Sequence, residues 1–357
     1  MLTGTDFRDI VSGQRRGIVA SMLRCVLRLV EIPYRAVVAV RNRSFDCNPS
    51  KVHRVDVPVI CVGNLTLGGT GKTPVVAWLA RWFRDRDIRV SIVSRGYGAK
   101  DGGQNDEARE LEARLPDVPH LQNSDRVAAA TVAVEELETQ LILLDDGFQH
   151  RRIHRDLNIL LVDATEPFGF GHVFPRGTLR EPLKNANRAD VLLISKCESA
   201  TEDTLSRIEQ RYRELAPDAL HLRIRQTPTT LLSASGKELP VSLLSGKKIA
   251  ALCGIGNPKS FQHTLHSLGA ETVAFWEYPD HHEFTRSDLD TIQSRAQTAR
   301  PDLLVCTHKD LVKLNVDRIA GVQLLALLIN VEFISDSGPF EDRLSAIANL
   351  IEREPQP

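Results

Sequence analysis

The feature that most constrains the fold is the stretch CVGNLTLGGTGKTP, residues 61–74. It matches most of the phosphate-loop pattern G-x-x-x-x-G-K-[ST], in which backbone N–H groups surround a phosphate at a helix N-terminus. Gly71, Lys72 and Thr73 are in register with this pattern, but Thr66 occupies the position of the first glycine. A strand-like run precedes the stretch and an amphipathic segment follows it. The sequence therefore predicts a nucleotide site, with a glycine-rich turn as the alternative.

Each residue type in this loop suits phosphate binding. Glycines let the backbone approach the anion, Lys72 would reach the β- and γ-phosphates, and the hydroxyl of Thr73 would bind Mg²⁺. Pro74 falls in the first helical turn, where its missing N–H costs nothing. The predicted nucleotide-binding residues are Thr66, Leu67, Gly68, Gly69, Thr70, Gly71, Lys72 and Thr73.

A second motif, LILLDDGFQH at residues 141–150, supplies the acidic group that such a loop needs. Four apolar residues precede Asp145 and Asp146, which predicts a buried strand that ends in two carboxylates. Like charges side by side repel one another, and a cation would relieve that repulsion. We expect Asp145 to hold Mg²⁺ with Asp146 close by; a solvated turn at the strand end is the alternative.

Strand-like and helix-like segments alternate along the chain, which predicts an α/β fold with largely parallel sheets. We expect a P-loop NTPase-type α/β/α sandwich with a second, smaller α/β domain and an N-terminal amphipathic helix. A Ser-, Thr-, Gly- and Pro-rich stretch at 226–247 suggests the boundary between the two domains. The predicted divisions are an N-terminal segment 1–45, a P-loop kinase domain 46–226 and a C-terminal domain 227–357.

The strands and helices are predicted from these runs. Candidate strands are 57–63, 89–94, 141–146, 157–164, 190–196, 248–255, 271–276, 302–307 and 323–331. Candidate helices are 74–85, 125–138, 201–215, 258–268, 285–297 and 341–353.

The N-terminal segment 8–43 is rich in arginine and contains no lysine. Its apolar residues from Ile18 to Val30 recur at helical spacing, and we expect Pro33 to end or kink the helix. A basic amphipathic helix can lie in a membrane interface, where anionic lipids attract its charges. The alternative is a helix packed on its own domain with solvated arginines.

Composition narrows the function classes. The chain has 357 residues and a formal net charge of −1, which predicts no strong field for nucleic acid. Its six cysteines form no C-x-x-C pair, and Cys61, Cys253 and Cys306 lie in apolar runs where buried free thiols are expected. We infer a reducing compartment. No apolar run reaches the length of a spanning helix and no signal peptide is recognisable, so we expect the protein to stay on the cytoplasmic side.

Several further motifs resemble those of one family, tetraacyldisaccharide 4′-kinase, the lipid A 4′-kinase of Gram-negative bacteria. The resemblance runs from about residue 15 to about residue 350, and that family itself has threonine at the position of Thr66. The motifs are VGNLTLGGTGKTP (62–74), SRGYG (94–98), DEA (106–108), DDGFQH (145–150), RDLNILLVDA (155–164), FPRGTLREP (174–182), CGIGNP (253–258) and DHHEFT (280–285).

The resemblance implies a kinase that transfers the γ-phosphoryl group of ATP, with Mg²⁺, to the 4′-hydroxyl of an acylated disaccharide 1-phosphate. It also implies a peripheral (monotopic) place on the cytoplasmic face of the bacterial inner membrane, the lipid as partner, and no obligate protein partner. The implied catalytic base is Asp106, with His281 as its orienting partner, Glu107 in support and Asp146 nearby. Because we expect Asp106 and His281 in different domains, catalysis would require closure.

Without the family, these residues have simpler interpretations. Asp106 would be a helix N-cap with Glu107 in the first turn, and the DHHE stretch a solvated loop or a metal site. The sequence also departs from the family at Asn105, at Phe174 and Arg176, and in THKD (307–310), which places local contacts in question.

Four residues are candidates for substrate contact. Arg126 and Arg180 suit bidentate binding of a lipid phosphate, because the guanidinium group is planar; exposed surface arginines are the alternative. Gln149 and His150 would lie near the sugar, or in a turn after the strand.

Two other function classes stay open at this stage. THKD and ISKC weakly resemble the base-reading motif of GTP-binding proteins, so a GTPase or metallochaperone-type NTPase is the enzyme alternative. The non-enzyme alternative is a peripheral membrane protein whose loop only binds nucleotide, which the paired aspartates argue against.

Overall fold

The computed structural model describes residues 4–96, 106–280 and 282–353. The helices of this part are α1 (Gly4–Ser12), α2 (Ile18–Cys47), α3 (Lys72–Arg84), α4 (Asp106–Arg114), α5 (Arg126–Leu137), α6 (Glu202–Leu215), α7 (Pro258–Ser267), α8 (Arg286–Ala299), α9 (His308–Leu314) and α10 (Gly338–Arg353). The strands are β1 (Val59–Asn64), β2 (Val90–Ser94), β3 (His120–Gln122), β4 (Leu141–Asp145), β5 (Leu157–Asp163), β6 (Val191–Ser195), β7 (Leu220–Leu232), β8 (Glu238–Pro240), β9 (Lys248–Cys253), β10 (Glu271–Glu277), β11 (Leu303–Thr307), β12 (Arg318–Ile319) and β13 (Val322–Phe333).

The α/β class is confirmed, and every strand and helix predicted from an apolar run is present within a few residues of its expected bounds. The reason is burial: β1, β4 and β6 are buried along their whole length, as expected for parallel strands covered on both faces. Cys61, Cys253 and Cys306 are buried as free thiols within such strands.

The chain forms two compact units. The first consists of Met1–Arg95, Val118–Arg225 and Glu332–Pro357, and the second of Gly96–Asp117 and Gln226–Val331. The predicted division placed Gly96–Asp117 within the domain 46–226 and Glu332–Pro357 within the domain 227–357, so the two groupings differ in these two segments. Helix α4, which belongs to Gly96–Asp117, packs against α9 of the second unit.

The first unit is built on a parallel sheet with the strand order β7-β6-β5-β1-β4-β2-β3. β1 lies between β5 and β4, with Val62 in register with Asp145 and Asn64 in register with Leu161. The carboxyl ends of β1, β4 and β5 therefore meet at one edge, which is where open α/β sheets bind their ligands. α3 follows β1 directly and packs on β1 and β4.

The second unit contains the parallel strands β10-β9-β11-β13, with β12 antiparallel to β13. Two apolar cores lie on the faces of this sheet, one around Phe261 and Leu265 of α7 and the other around Ile292 of α8. α8 begins with a capping box between Thr285 and Asp288. The sheet and its flanking helices thus form an α/β body with its own core.

The helix α2 continues through its proline. It is one helix of 30 residues that includes Pro33, so it does not end at the proline, one of the two outcomes that we expected there. The side chains of Glu31, Tyr34 and Asn42 bond to the 172–181 region on both sides of the proline, and this tertiary contact outweighs the missing N–H. The stretch 226–247, where we expected the domain boundary, begins at the division between the two units, Arg225 and Gln226. Within this stretch β7 extends to Leu232 and pairs with β8.

Within the described residues, no helix is both long and apolar enough to cross a membrane.

Candidate active site

The turn that follows β4 packs tightly against the end of β1, and this close approach explains two glycines. A Cβ atom on Gly63 would lie 2.7 Å from the backbone nitrogen of Phe148. A Cβ on Gly147 would lie 2.6 Å from Leu144 Cγ and 2.8 Å from Cys61 Sγ. Both contacts are shorter than a side chain allows, so the glycines let the chain around Asp145 and Asp146 lie next to the end of β1, where the phosphate loop begins.

The loop between β1 and α3 has the geometry of a phosphate site. Gly71 precedes α3 in the left-handed region, with φ at 84°, and Lys72 is the first helical residue. In the part of the chain that the structure describes, Thr70 Oγ1 is buried without a hydrogen-bond partner. A buried polar atom of this kind needs a partner, and a nucleotide phosphate in the loop would supply one.

The FPRGTLREP motif holds the loop from the side. Leu67 N donates to Thr178 O at 2.7 Å, Arg180 N donates to Leu65 O at 2.7 Å, and Thr66 forms an antiparallel bridge with Leu179. These bonds use the backbone amide of Leu67, and the amides that follow it in the loop are the ones expected to bind phosphate. The same bonds also explain why threonine serves at position 66, since this residue extends a strand-like pairing and does not need to make a tight turn.

Asp146 is the centre of an ion cluster beside the loop. Lys72 Nζ lies 3.4 Å from its Oδ1, and Arg180 Nη1 lies 2.9 and 2.7 Å from its two oxygens. Burial by itself would raise the pKa of the Asp146 carboxyl, but the charges of Lys72 and Arg180 outweigh that effect and lower it to about 2. Two protein cations therefore neutralise this aspartate, the role we expected of a metal ion.

Asp145, the predicted Mg²⁺ ligand, lies at the end of the strand next to β1. It is the last residue of β4, is 3 % exposed and stands in register with Val62 of β1, whereas Thr73 lies in the first turn of α3. Mg²⁺ prefers one or two protein oxygens and completes its shell with phosphates and water. Thr73 and Asp145 fit that requirement together with a bound nucleotide, and among the described residues no cluster of three or more His, Cys, Asp or Glu forms a metal site of its own.

The candidate substrate residues surround the same turn. Arg126 is buried at the start of α5, which Asp125 caps, and its Nη1 donates to the backbone oxygen of Asp146 at 2.9 Å. Arg126 and Arg180 are therefore bound to Asp146, and the surface-arginine alternative is wrong for the buried Arg126. Gln149 Nε2 donates to Asn64 O at 2.8 Å.

His150 lies at the end of this turn in a partly buried place. Its burial, together with Arg126 and Arg152, lowers its pKa to about 4. The imidazole is therefore neutral at neutral pH, and its Nε2 is a buried atom without a partner in the described part of the chain.

Sequence reasoning missed Glu181, the acid of the LREP motif. Its side chain is fully buried and accepts hydrogen bonds from Asn42 of α2 at 2.9 Å, Gln149 at 3.1 Å and Arg188 at 2.5 Å. It thus connects α2 to the turn after β4. The signal was an acidic residue beside an arginine in a motif that we interpreted through the arginine alone.

A second missed group supports the loop from β5 and β6. Ser195 Oγ donates to Thr70 O at 2.8 Å, and Lys196 Nζ donates to Gly69 O at 2.7 Å and to Asp163 Oδ2 at 2.5 Å. Lys196 has a positive φ of 57°. The ISKC stretch, which we had compared with a base-reading motif, therefore contacts the phosphate loop.

The second unit contains Asp106 as the first residue of α4. Its Oδ2 lies 2.6 Å from Lys313 Nζ and 3.8 Å from Lys309 Nζ, so α9 holds this carboxylate. Glu107 follows in the first turn of α4 and is exposed. Asp106 and the two lysines all belong to the second unit, whereas the predicted division placed Asp106 in the domain 46–226.

His281 lies outside the described residues, but its two neighbours do not. Lys309 Nζ is 3.3 Å from Asp280 Oδ1, and Lys313 Nζ donates to His282 O at 2.9 Å. The same two lysines hold Asp106, so the structure brings the DHHEFT loop and α4 together. His282 Nε2 is bound to Asp288 Oδ2 at 3.1 Å.

The THKD motif explains how these segments are joined. Thr307 caps α9, and Asp310 is buried and accepts from Gly254 N at 3.1 Å. Burial raises the pKa of the Asp310 carboxyl. His308, where the family usually has glutamate, is 4 % exposed and lies 3.8 Å from Glu110 of α4. The THKD motif thus connects α9 to Gly254 and to α4 within the second unit.

These features define a P-loop nucleotide-binding protein: the parallel sheet, the phosphate loop before α3, the lysine at the end of the loop and the buried aspartate on the neighbouring strand. The chain matches the model of one family within this class over residues 23–349, and it belongs to that family, the tetraacyldisaccharide-1-P 4′-kinases. It is therefore a kinase that uses ATP with Mg²⁺, and the GTPase and metallochaperone alternative is not favoured.

Known relatives are similar along most of the chain. The tetraacyldisaccharide 4′-kinase of Anaeromyxobacter dehalogenans is 35% identical over 354 residues, which cover 93% of each chain. That of Syntrophus aciditrophicus is 37% identical over 313 residues, covering 81% of this chain and 84% of the relative. The "apo" form of LpxK from Aquifex aeolicus, whose crystal structure was determined in complex with ATP, has a TM-score of 0.73 at 29% identity and covers 91% of this chain and 99% of its own.

Proposed function

We propose that this kinase phosphorylates the 4′-hydroxyl of a tetraacyldisaccharide 1-phosphate, a precursor of lipid A. The observation that carries the proposal is the family match over residues 23–349, since the family's name states this reaction. The hydroxyl oxygen bonds to the γ-phosphorus of ATP as the bond from that phosphorus to the β–γ bridging oxygen breaks. The electron pair leaves with ADP, and the hydroxyl proton passes to a base.

In this proposal the first unit binds Mg²⁺–ATP. The amides of the phosphate loop and Lys72 hold the phosphates, while Thr73 and Asp145 hold the metal ion. Lys72 would have to exchange its contact with Asp146 for the phosphates, because its Nζ lies 3.4 Å from both Asp146 Oδ1 and Asn64 Oδ1. Arg180 keeps Asp146 paired during that exchange.

Asp106 is the proposed base, with His281 as its positioning partner and Glu107 in support. Lys313 Nζ and Lys309 Nζ lie 2.6 and 3.8 Å from Asp106 Oδ2, so α9 fixes the position of this carboxylate. The link from Lys309 and Lys313 to Asp280 and His282 supports a role for the intervening histidine.

Arg126, Arg180, Gln149 and His150 are the proposed contacts to the sugar and its phosphate. Three of them already bond to the turn after β4 or to its neighbours, Arg126 and Arg180 at Asp146 and Gln149 at Asn64. An arginine that shares its donors between a carboxylate and a phosphate orients both groups.

We further propose that the protein acts at the cytoplasmic face of the inner membrane, with α2 lying in the interface. The support is the exposed apolar face of this helix, where the side chains of Ile18, Val19, Met22, Leu29, Val37 and Val40 are each at least 65% exposed. The acyl chains of the substrate would place it in the same interface.

The experiment that tests the reaction is transfer of labelled γ-phosphate from ATP to a tetraacyldisaccharide 1-phosphate in detergent micelles with Mg²⁺. We expect label on the lipid with the wild type and none with Lys72→Ala. Asp106→Asn should lower kcat by about 10²- to 10⁴-fold, the usual contribution of a positioned base, with little change in the KM for ATP. Asp117→Asn, an exposed carboxylate beyond α4, is the matched control.

The outcomes separate the alternatives. Unlabelled lipid with nucleotide still bound would reject the acceptor, and lipid-independent hydrolysis with a preference for GTP would support the GTPase alternative. Wild-type turnover in Asp106→Asn would remove that residue as the base while leaving the reaction in place.

A further inference from the structure

The short helix α1 lies before residue 23, where the match to the family begins. It is nevertheless firmly attached to the first unit. Ile10 and Val11 are 3% and 2% exposed, Phe7 packs on Phe174 with ring centroids 6.1 Å apart, and Arg176 Nη1 donates to Val11 O at 2.9 Å. Phe174 and Arg176 are two positions where the sequence departs from the family motif, so these departures serve the attachment of α1.

Arg8 of α1 lies directly over the phosphate loop. A Cβ atom built on Gly68 would lie 2.5 Å from Arg8 Nη2, and the next nearest atom is Arg8 Cζ at 3.7 Å. The guanidinium group therefore occupies the space that a side chain at position 68 would need. Gly68 also has a φ of +113°, a conformation that favours glycine.

Glu166 connects Arg8 to the framework of the loop. Its Oε2 lies 3.8 Å from Arg8 Nη1, and its Oε1 accepts a hydrogen bond from the hydroxyl of Thr178. The backbone oxygen of Thr178 in turn accepts from Leu67 N. The contact of Arg8 with Glu166 is long, and the Arg8 side chain is 48% exposed, so its N–H groups stay accessible to an anion at the loop.

Three other cations beside the loop are bound to Asp146. Lys72 and Arg180 both contact the carboxylate of Asp146, and Arg126 bonds to the backbone of the same residue. Arg8 belongs to α1 and is paired instead with Glu166. A guanidinium group beside phosphate-binding amides suits a planar, bidentate contact with phosphoryl oxygens.

We propose that Arg8 is a further catalytic residue, which binds the γ-phosphate of ATP and stabilises the charge on the phosphoryl group during transfer. An arginine supplied within the same chain performs this role in other phosphate-loop enzymes. Here the arginine comes from the segment just before α2. Its effect on turnover rests on the kinase reaction proposed above, but its effect on nucleotide binding needs no acceptor.

The test compares Arg8→Ala and Arg8→Lys with the wild type in the full chain. Arg16→Ala is the matched control, because Arg16 is an exposed arginine of the same N-terminal segment. We expect Arg8→Ala to lower kcat about 10³-fold, the lower end of what such an arginine contributes. The kcat of Arg8→Lys should fall between those of the wild type and Arg8→Ala, because a lysine keeps the charge but lacks the planar guanidinium group. Arg16→Ala should retain the wild-type kcat.

Calorimetric titration with two nucleotides locates the contact on the phosphate chain. We expect Arg8→Ala to weaken binding of a non-hydrolysable ATP analogue and to leave binding of ADP unchanged, since only the analogue carries a γ-phosphate. An unchanged kcat in Arg8→Ala, or an equal loss of affinity for ADP and the analogue, would overturn the proposal and leave Arg8 as an attachment point of α1. If Arg8→Ala does not fold, Arg8→Lys with the same two titrations decides between these outcomes.

Discussion

At the phosphate loop, the adjacent residues Asp146 and Asp145 have different surroundings. Asp146 contacts two cations, Lys72 and Arg180, and its backbone oxygen accepts from Arg126. Its neighbour Asp145, the proposed metal ligand, is buried at the strand end. Two adjacent carboxylates thus have different environments, and different environments give ionisable groups different roles.

At the same scale, His150 predicts how stability depends on pH. Its pKa is lowered from 6.5 to about 4, so the unfolded chain binds a proton between these values and the folded chain does not. The contribution of the neutral imidazole to the free energy of unfolding should be complete above pH 6.5, and it should be lost as the pH drops from 6.5 to 4. The His150→Gln variant cannot take up that proton. Between pH 6.5 and 4 its free energy of unfolding should therefore decrease less than that of the wild type, by on the order of 1–2 kcal/mol, a range that allows for partial solvent screening.

Urea unfolding at a series of pH values measures this difference. The matched control is His263→Gln, which replaces an exposed histidine of α7. A pH slope of His150→Gln equal to that of the wild type would contradict the prediction.

Among the elements, α2 is unusual because two of its few buried residues are the polar Glu31 and Asn42, whereas many of its apolar residues are exposed. Glu31 is 4% exposed and accepts from Val173 N and His172 Nδ1, each at 3.0 Å, and Asn42 donates to Glu181. Tyr34 OH donates to Arg180 O on the same face. The helix therefore uses polar side chains to attach to the first unit and leaves an apolar face in contact with solvent. A contiguous exposed apolar face of this kind marks an interaction surface, and its basic neighbours favour an anionic lipid surface.

The element-scale prediction concerns that apolar face. Met22 and Leu29 are 65% and 68% exposed, so replacing both with aspartate should remove binding to vesicles that contain anionic phospholipid. The thermal midpoint should stay unchanged because neither side chain packs in the core. Each buried aliphatic side chain contributes about 1.5–3 kcal/mol on transfer from water, so two losses together with added negative charge are enough to release the protein.

Flotation of protein with vesicles measures the bound fraction. Leu350→Asp is the control, since Leu350 of α10 is 60% exposed and lies on another helix of the same unit. Vesicle binding by the Met22→Asp, Leu29→Asp variant at the wild-type level would reject α2 as the membrane-binding element.

For the molecule as a whole, the nucleotide groups and the proposed base belong to different units. Lys72, Thr73 and Asp145 are in the first unit, and Asp106 is in the second, where it is held by Lys309 and Lys313. Binding of ATP and chemistry on the acceptor should therefore be separable by mutation.

This separation predicts the response of thermal stability to Mg²⁺–ATP. At about 100 times its dissociation constant, a ligand that binds only the folded state adds about 2.7 kcal/mol. We expect Mg²⁺–ATP to raise the thermal midpoint of the wild type and of Asp106→Asn, but not that of Lys72→Ala. Scanning calorimetry with and without nucleotide checks this, and loss of the response in Asp106→Asn would mean that Asp106 takes part in nucleotide binding.

The sequence by itself determined the α/β class, the phosphate loop before α3, the carboxylates at the end of β4 and the family. These features are encoded by local patterns: buried strands are apolar along their length, and the loop needs its glycines and lysine in one short run. Thr66 was the exception within the loop, and the motifs further along the chain supplied the explanation.

Only the tertiary structure decided which distant residues meet. It grouped Asp106 with Lys309 and Lys313, placed Glu181 between α2 and the turn after β4, and set Arg8 over Gly68. It also kept Pro33 inside one helix. These contacts join segments far apart in the sequence, and the free energy of packing and ion pairing that forms them leaves no periodic pattern in the residues themselves.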